Sequence, residues 1–343
     1  MTRPSLGNLR DLELRKTRRL TAGQLHHQKP SFSPDGRFLL HALGSGSESH
    51  WLLSDRKGRV ARVLAGPALG RGAIAQDGSI AYGRQVGATC EIWLLAAGDS
   101  EPKRLLGGDG RLYRDPTFSP DGSKLAFLAD EGSQDSQLRL WIYDLAQGSR
   151  ELLLGSLPGH KLAQLAHPTW APLGDSVFVE AILENGPTIF ELVIGSGQIV
   201  ARTDSGYAFP APLARGLLLA EHRPDPQHSE LVLIAYPPCA DKPKQVVLLD
   251  SKAGAREPAA VWDKKGEVHV AFTMTTTQDG EPQRSDLHLA ILSKLPRRLQ
   301  KLGENDTDAA SDEADSEGPK PKSARQADLP PLYDIWLAME RGA

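Results

Sequence analysis

A four-strand, three-turn unit occurring six times, a composition of 33 glycines and 25 prolines, and apolar runs that stay short predict an all-β, six-bladed β-propeller. The clearest unit begins at Asp115. Pro116-Thr117-Phe118-Ser119 reads as a strand and Pro120-Asp121-Gly122 as a turn. Lys124 to Ala129, Leu138 to Tyr143 and Arg150 to Leu154 supply three more strands, the last two joined by a hairpin turn over Asp144 to Gly148. Proline presets φ at the first turn position, aspartate bonds the backbone two residues on, and glycine accepts a positive φ at no steric cost.

The same order recurs along the chain. Pro30 to Gly36 opens one copy, Ala73 to Gly78 a second and His167 to Pro172 a fourth. Weaker copies open at Phe209-Pro210-Ala211-Pro212 and Glu257-Pro258. The third-strand landmarks Trp51, Trp93, Trp141, Phe190, Leu231 and Leu287 recur every 41 to 56 residues, the scatter that loop insertions on a fixed unit produce. The aromatics before the turns and on the third strands are read as structural, filling the space between blades, and Trp141 is expected to be buried.

The Phe-Ser-Pro-Asp-Gly turns at 32–36 and 118–122, with Ile92-Trp93-Leu94 and Leu140-Trp141-Ile142-Tyr143-Asp144, resemble the TolB-like propeller repeat, a relative of WD repeats. The same repeat occurs in the propellers of prolyl-oligopeptidase-like peptidases and in oligogalacturonate lyases. The resemblance covers roughly residues 15 to 300 and implies a fold rather than an activity. Unlike periplasmic TolB, this sequence is expected to carry neither a signal peptide nor a separate N-terminal domain, because no apolar core follows its basic N-terminus and its first 28 residues are too few for that domain.

A propeller ring must be closed, or its end blades expose edges. Arg15 to Thr21 resembles the fourth-strand segment Pro102 to Leu106 and precedes the first blade, so it is expected to be the outer strand of the last blade. Pro296 to Leu302 resembles it too and competes for that place. The chain thus divides into an N-terminal extension (1–14), the propeller (15–302), a disordered acidic linker (303–328) and a short amphipathic helix (329–343). Seven acids lie between Glu304 and Glu317, and aromatic and β-branched aliphatic residues are absent from the linker. In the last segment Leu332, Ile335, Trp336 and Met339 fall on one helical face, a stripe that needs a surface to bind.

Composition excludes several classes. Lys+Arg 40 against Asp+Glu 43 gives no basic excess for nucleic-acid binding. Two cysteines cannot build a disulfide framework or a multi-cysteine zinc site. No apolar run approaches the length of a transmembrane helix, and no apolar core follows the basic N-terminus. The Gly-x-Ser-x-Gly elbow, the dinucleotide and Walker glycine patterns, and the His-Glu-x-x-His and EF-hand spacings are all missing. The expectation is therefore a cytoplasmic, monomeric, non-enzymatic scaffold or binding module for a protein partner. No catalytic residue, metal or cofactor is assigned, and the terminal helix acts as tether.

One set of positions stands out. The first strand of each blade lines the central channel, and the residue before its proline should sit near the channel mouth. Aligned blade by blade, that residue is Lys29, Arg71, Asp115 and His167, then less securely Phe209 and Glu257. Lys29, Arg71, Asp115, His167 and Glu257 are the candidate ligand- or partner-binding residues of the mouth, and Leu332, Ile335, Trp336 and Met339 those of the terminal helix. The alternative is a channel-mouth, metal-dependent lyase or lactone hydrolase. The lyases with this repeat bind their metal through several histidines at such a mouth, where this chain offers only His167.

Overall fold

The computed structural model describes residues 12–293, except 22–25, 45–48, 65, 133–136, 161–162, 226, 237–243, 251–253, 264 and 277–283. Six four-stranded antiparallel sheets make six blades. Their inner strands are His27–Phe32, Ala68–Ile74, Tyr113–Phe118, Gln164–Trp170, Tyr207–Ala214 and Ala255–Trp262. Blades 1 to 5 follow chain order from inner to outer strand. No helix occurs among the described residues, and none is long and apolar enough to cross a membrane. The expected linker and the stripe Leu332, Ile335, Trp336 and Met339 lie outside the described residues.

The turns form as their chemistry dictates. In blade 1, Gly36 N donates to the Ser33 carbonyl at 2.8 Å with Gly36 at φ +67. Ser33 Oγ accepts from Phe38 N at 2.9 Å, and Asp35 Oδ1 accepts from Arg37 N at 3.0 Å. Blade 3 repeats this at Ser119, Asp121 and Gly122. Each side chain satisfies backbone donors that a two-residue reversal would otherwise orphan.

The second strands are the most deeply buried. Leu125 to Leu128 and Leu217 to Ala220 have no exposed surface, because each packs against both neighbouring blades. Three tryptophans tie blades together through their indole N–H groups. Trp51 donates to the Gly83 carbonyl at 2.8 Å, Trp170 to that of Thr117 at 3.1 Å, and Trp262 to that of Leu213 at 2.7 Å. Trp141, expected to be buried, is only half-buried. Like Trp93, it is capped by an arginine, with Arg150 5.6 Å above its ring and Arg84 4.6 Å above that of Trp93. Both lie toward the outer edge of their blades, where a guanidinium stacks on the ring while its charge stays hydrated.

The N-terminal strand Leu14–Arg19 closes the ring. It pairs antiparallel with Arg284–Leu292, matching Leu14 with Leu292 and Arg19 with His288, and so forms the outer strand of blade 6. The competing segment 296–302 lies outside the described residues. The closing strand is mostly exposed and is held at both ends. Ser293 N donates to the Glu13 carbonyl at 2.8 Å and Leu20 N to that of Leu287 at 2.7 Å. Thr21 Oγ1 accepts from Leu287 N at 2.9 Å. Arg19 pairs with the buried Asp286 at 2.8 Å, and Leu12 is buried in the core that blades 5 and 6 share.

Candidate binding site at the channel mouth

The inner strands do not run straight past the channel. In blade 1 the register moves from Gln28↔Ala42 to Ser31↔Leu40, which leaves one extra residue on the inner strand. The same slip occurs in blades 3, 4, 5 and 6. The residue just before the inner-strand proline takes up the slack in the left-handed region: Lys29 (φ 55), Asp115 (φ 54), His167 (φ 50), Phe209 (φ 52) and Glu257 (φ 52). Five non-glycine residues in a conformation that costs of order 1–3 kcal/mol each stay there only if the surroundings enforce it.

At three of the five, a carboxylate of an adjacent blade accepts the strained residue's own N–H. Lys29 N donates to Glu257 Oε2 at 2.6 Å, Phe209 N to Glu180 Oε2 at 3.0 Å, and Glu257 N to Glu221 Oε2 at 2.9 Å. Arg71 N donates to Asp115 Oδ1 at 2.6 Å. Each mouth carboxylate therefore accepts a main-chain N–H from the blade next to it. The acids also meet cations: Glu180 bonds His167 Nδ1 at 2.8 Å, Glu221 pairs with Arg223 at 2.7 Å, and Asp115 with Arg114 at 3.2 Å. Burial works to raise the Asp115 carboxyl, yet Arg114, His167, Lys29 and the Arg71 amide together hold it below the usual range. Burial likewise opposes ionisation of Glu180, and His167, the Phe209 amide and Arg223 together hold its carboxyl below the usual range.

Blade 2 departs from the pattern. Its bulge is longer, running from Ala68↔Arg84 to Gly72↔Tyr82, and the positive φ falls on Gly70 (φ 72) rather than on Arg71. A Cβ at Gly70 would lie 2.6 Å from Asp115 Oδ1, so only glycine fits. The Arg71 side chain crosses the channel. Its Nη2 donates to the carbonyls of Pro258 at 3.2 Å and Pro30 at 3.4 Å, and its guanidinium lies 5.6 Å from the centre of the Phe209 ring. Arg71 is 9% exposed, and burial lowers its pKa against the pull of Glu257, Asp115 and Glu180.

The five expected mouth residues Lys29, Arg71, Asp115, His167 and Glu257 are thus linked through contacts between blades. Phe209, the least secure of the aligned positions, lies among them. His167 stacks on its ring at 4.0 Å, and Arg223 sits 5.7 Å from the ring centre. Glu180, Glu221, Arg114 and Arg223 were not anticipated. A signal for the two glutamates existed: Glu180 interrupts the apolar second strand Ser176–Leu183, Glu221 follows the apolar run Leu217 to Ala220 of the second strand Leu217–Asp225, and a buried acid needs a partner.

Beneath Arg71 the channel continues as a space of about 220 Å³ lined by inner-strand residues of all six blades, among them Pro30, Pro116, Pro168, Pro210 and Pro258. A separate His/carboxylate cluster, Asp263, Glu267 and His269, sits at the first turn of blade 6. Its His269 Nε2 is 2.9 Å from Arg56 Nη1 and 3.0 Å from Asp263 Oδ2, so a guanidinium already stands where an ion would bind.

These features define a TolB-like six-bladed β-propeller fold. Comparison with solved structures agrees. TolB from Acinetobacter baumannii superposes with a TM-score of 0.55 at 15% identity over 76% of this chain, which spans 65% of that protein's length. The putative TolB from Agrobacterium tumefaciens gives 0.52 at 16% identity, covering 81% of this chain and 97% of that one. Oligogalacturonate lyase from Vibrio parahaemolyticus gives 0.51 at 12% identity, covering 86% and 98%. At such identities the likeness is one of fold. No protein-family model and no curated protein matches the sequence.

Proposed function

We propose that the chain is a non-enzymatic, cytoplasmic binding module. It recognises its protein partner at the channel mouth through Lys29, Arg71, Asp115, His167 and Glu257, and it carries Leu332, Ile335, Trp336 and Met339 on a C-terminal tether. The observation that carries this reading is how the mouth acids are used. Asp115, Glu180, Glu221 and Glu257 each accept a backbone N–H from a neighbouring blade, and His167 is bonded to Glu180. Groups held this way shape a rigid polar rim. They make poor general bases or metal ligands, since recruiting any of them would orphan a main-chain donor of the neighbouring blade. The Ser-Pro-Asp-Gly repeat, the cytoplasmic location and the monomeric state belong to this proposal as well.

The alternative is a metal-dependent lyase or lactone hydrolase. It draws support from the likeness to oligogalacturonate lyases, one of them determined in complex with manganese (TM-score 0.52, 14% identity). The donor set at this mouth fits such a centre badly, with His167 the one imidazole among its aligned residues and already engaged. Two measurements separate the readings. Affinity recovery from lysate should yield a partner with the full chain and lose it with Lys29→Glu or with truncation at 303. Protein purified without added metal should show no stoichiometric metal on elemental analysis. One bound metal per chain, with unchanged partner recovery, would favour the enzyme.

A further inference from the structure

The channel beneath the mouth has a chemistry of its own. Arg71 is the sole charged residue on its wall; the rest is proline, aromatic rings, small apolar side chains and three hydroxyls. The acids that compensate Arg71 electrostatically belong to the rim and do not line this space. No carboxylate among the described residues forms an ion pair with Arg71. Its hydrogen bonds are two from Nη2 to main-chain carbonyls, which leaves the Nη1 and Nε donors without a described partner.

A buried guanidinium with unused donors, facing a narrow space that holds no acid of its own, is a site for an anion, because a buried charge is stable only when paired and hydrogen-bonded. The wall sets the rest of the ligand. Phe32, Phe118 and Trp170 contribute apolar surface, and Ser31, Thr117 and Thr169 add hydroxyls at matching positions of blades 1, 3 and 4. A volume of about 220 Å³ limits the body to a small one.

We propose that this channel binds a small carboxylic acid, with its carboxylate on Arg71 and its body between the prolines and rings of the inner strands. This rests on the binding-module reading and deepens it: the mouth recognises a protein, and the channel beneath it a compact acid. Guanidinium and carboxylate make paired, charge-assisted hydrogen bonds that an amide cannot match.

The test is calorimetric titration of the full chain at pH 7.5 with sodium benzoate and sodium lactate, and with benzamide as the uncharged counterpart of benzoate. At least one of the acids should bind once per chain, benzamide should bind at least tenfold more weakly than benzoate, and Arg71→Met should abolish acid binding. Ser31→Phe, which fills the channel and keeps Arg71, should abolish it too. That second variant serves if Arg71→Met does not fold by circular dichroism. The proposal is overturned if neither acid binds, if benzoate and benzamide bind alike, or if acid binding survives in the folded variants. Truncation at 303 separates the two readings: it should remove partner recovery and leave acid binding within twofold of the parent. Loss of partner recovery with no acid binding by the parent chain sinks the channel site alone, whereas acid binding with partner recovery unaffected by Lys29→Glu sinks the mouth reading alone.

Discussion

Acid should loosen this propeller through two buried imidazoles in blade 1. His41 is 1% exposed, with Nε2 2.9 Å from Ser54 Oγ and Nδ1 3.3 Å from His27 Nδ1. His27 lies at the seam where the ring closes: the Ser285 hydroxyl of blade 6 donates to its carbonyl at 2.9 Å, and Asp286, Arg19 and His26 act on its charge. Only one of the two facing nitrogens can carry a hydrogen, so protonating the pair breaks their bond as well as burying charge. Burial, then the neighbouring His27, pushes His41 down to about 3, and burial also lowers His27. A histidine whose folded pKa lies below its unfolded value of about 6.5 leaves stability intact above that pH and removes it as pH falls toward the folded value. The loss approaches about 1.4 kcal/mol per pH unit for each such group, which for His41 alone amounts to about 2 kcal/mol between pH 7 and pH 5. Urea unfolding of the parent and His41→Gln at both pH values tests this. The variant carries no charge at either pH, so the parent should lose about 2 kcal/mol more than the variant on going from pH 7 to pH 5. Equal losses for the two proteins would refute the reasoning.

Trp51→Ala should destabilise by about 3–5 kcal/mol in denaturant titration, because a wholly buried indole and its bond to Gly83 are both lost. Trp141→Ala should cost clearly less, since that ring is half-buried under Arg150. Glu180→Ala should cost about 3 kcal/mol by the same assay, as it strips the acceptor from Phe209 N and leaves His167 without its carboxylate. Thr21→Val should cost about 1–2 kcal/mol through the orphaned Leu287 N–H, with hydrogen exchange rising first along 284–292 at the closure seam. Gly83→Ala should yield no folded protein by circular dichroism, because its Cβ would meet the Leu69 carbonyl oxygen at 2.1 Å.

Much of the architecture was legible because it is local. Ser33-Pro34-Asp35-Gly36 and Ser119-Pro120-Asp121-Gly122 set their turns through bonds spanning two to five residues, and six such units count out six blades. The N-terminal closing strand was legible for a related reason: Arg15 to Thr21 has the pattern of a fourth strand and stands immediately before the opening strand of blade 1. The positions Lys29, Asp115, His167, Phe209 and Glu257 could be aligned because each precedes an inner-strand proline, and the structure gives all five the same left-handed backbone.

What those positions do was decided in three dimensions. Arg71 occupies the aligned place in blade 2, yet a longer bulge moves the strained conformation to Gly70 and sends the guanidinium across the channel to carbonyls of blades 1 and 6. Glu180 and Glu221 read in sequence as isolated acids on apolar strands; their partners lie 29 and 36 residues away on the next blade. Trp141 matches Trp51 in its place in the repeat, but Trp51 is wholly covered by its neighbouring blade, whereas Trp141 lies at the edge of its core with Arg150 over its ring. A repeat dictates the fold of each blade through bonds within the blade. The contents of the channel depend on how six inner strands converge, and that convergence brings together residues that no local spacing relates.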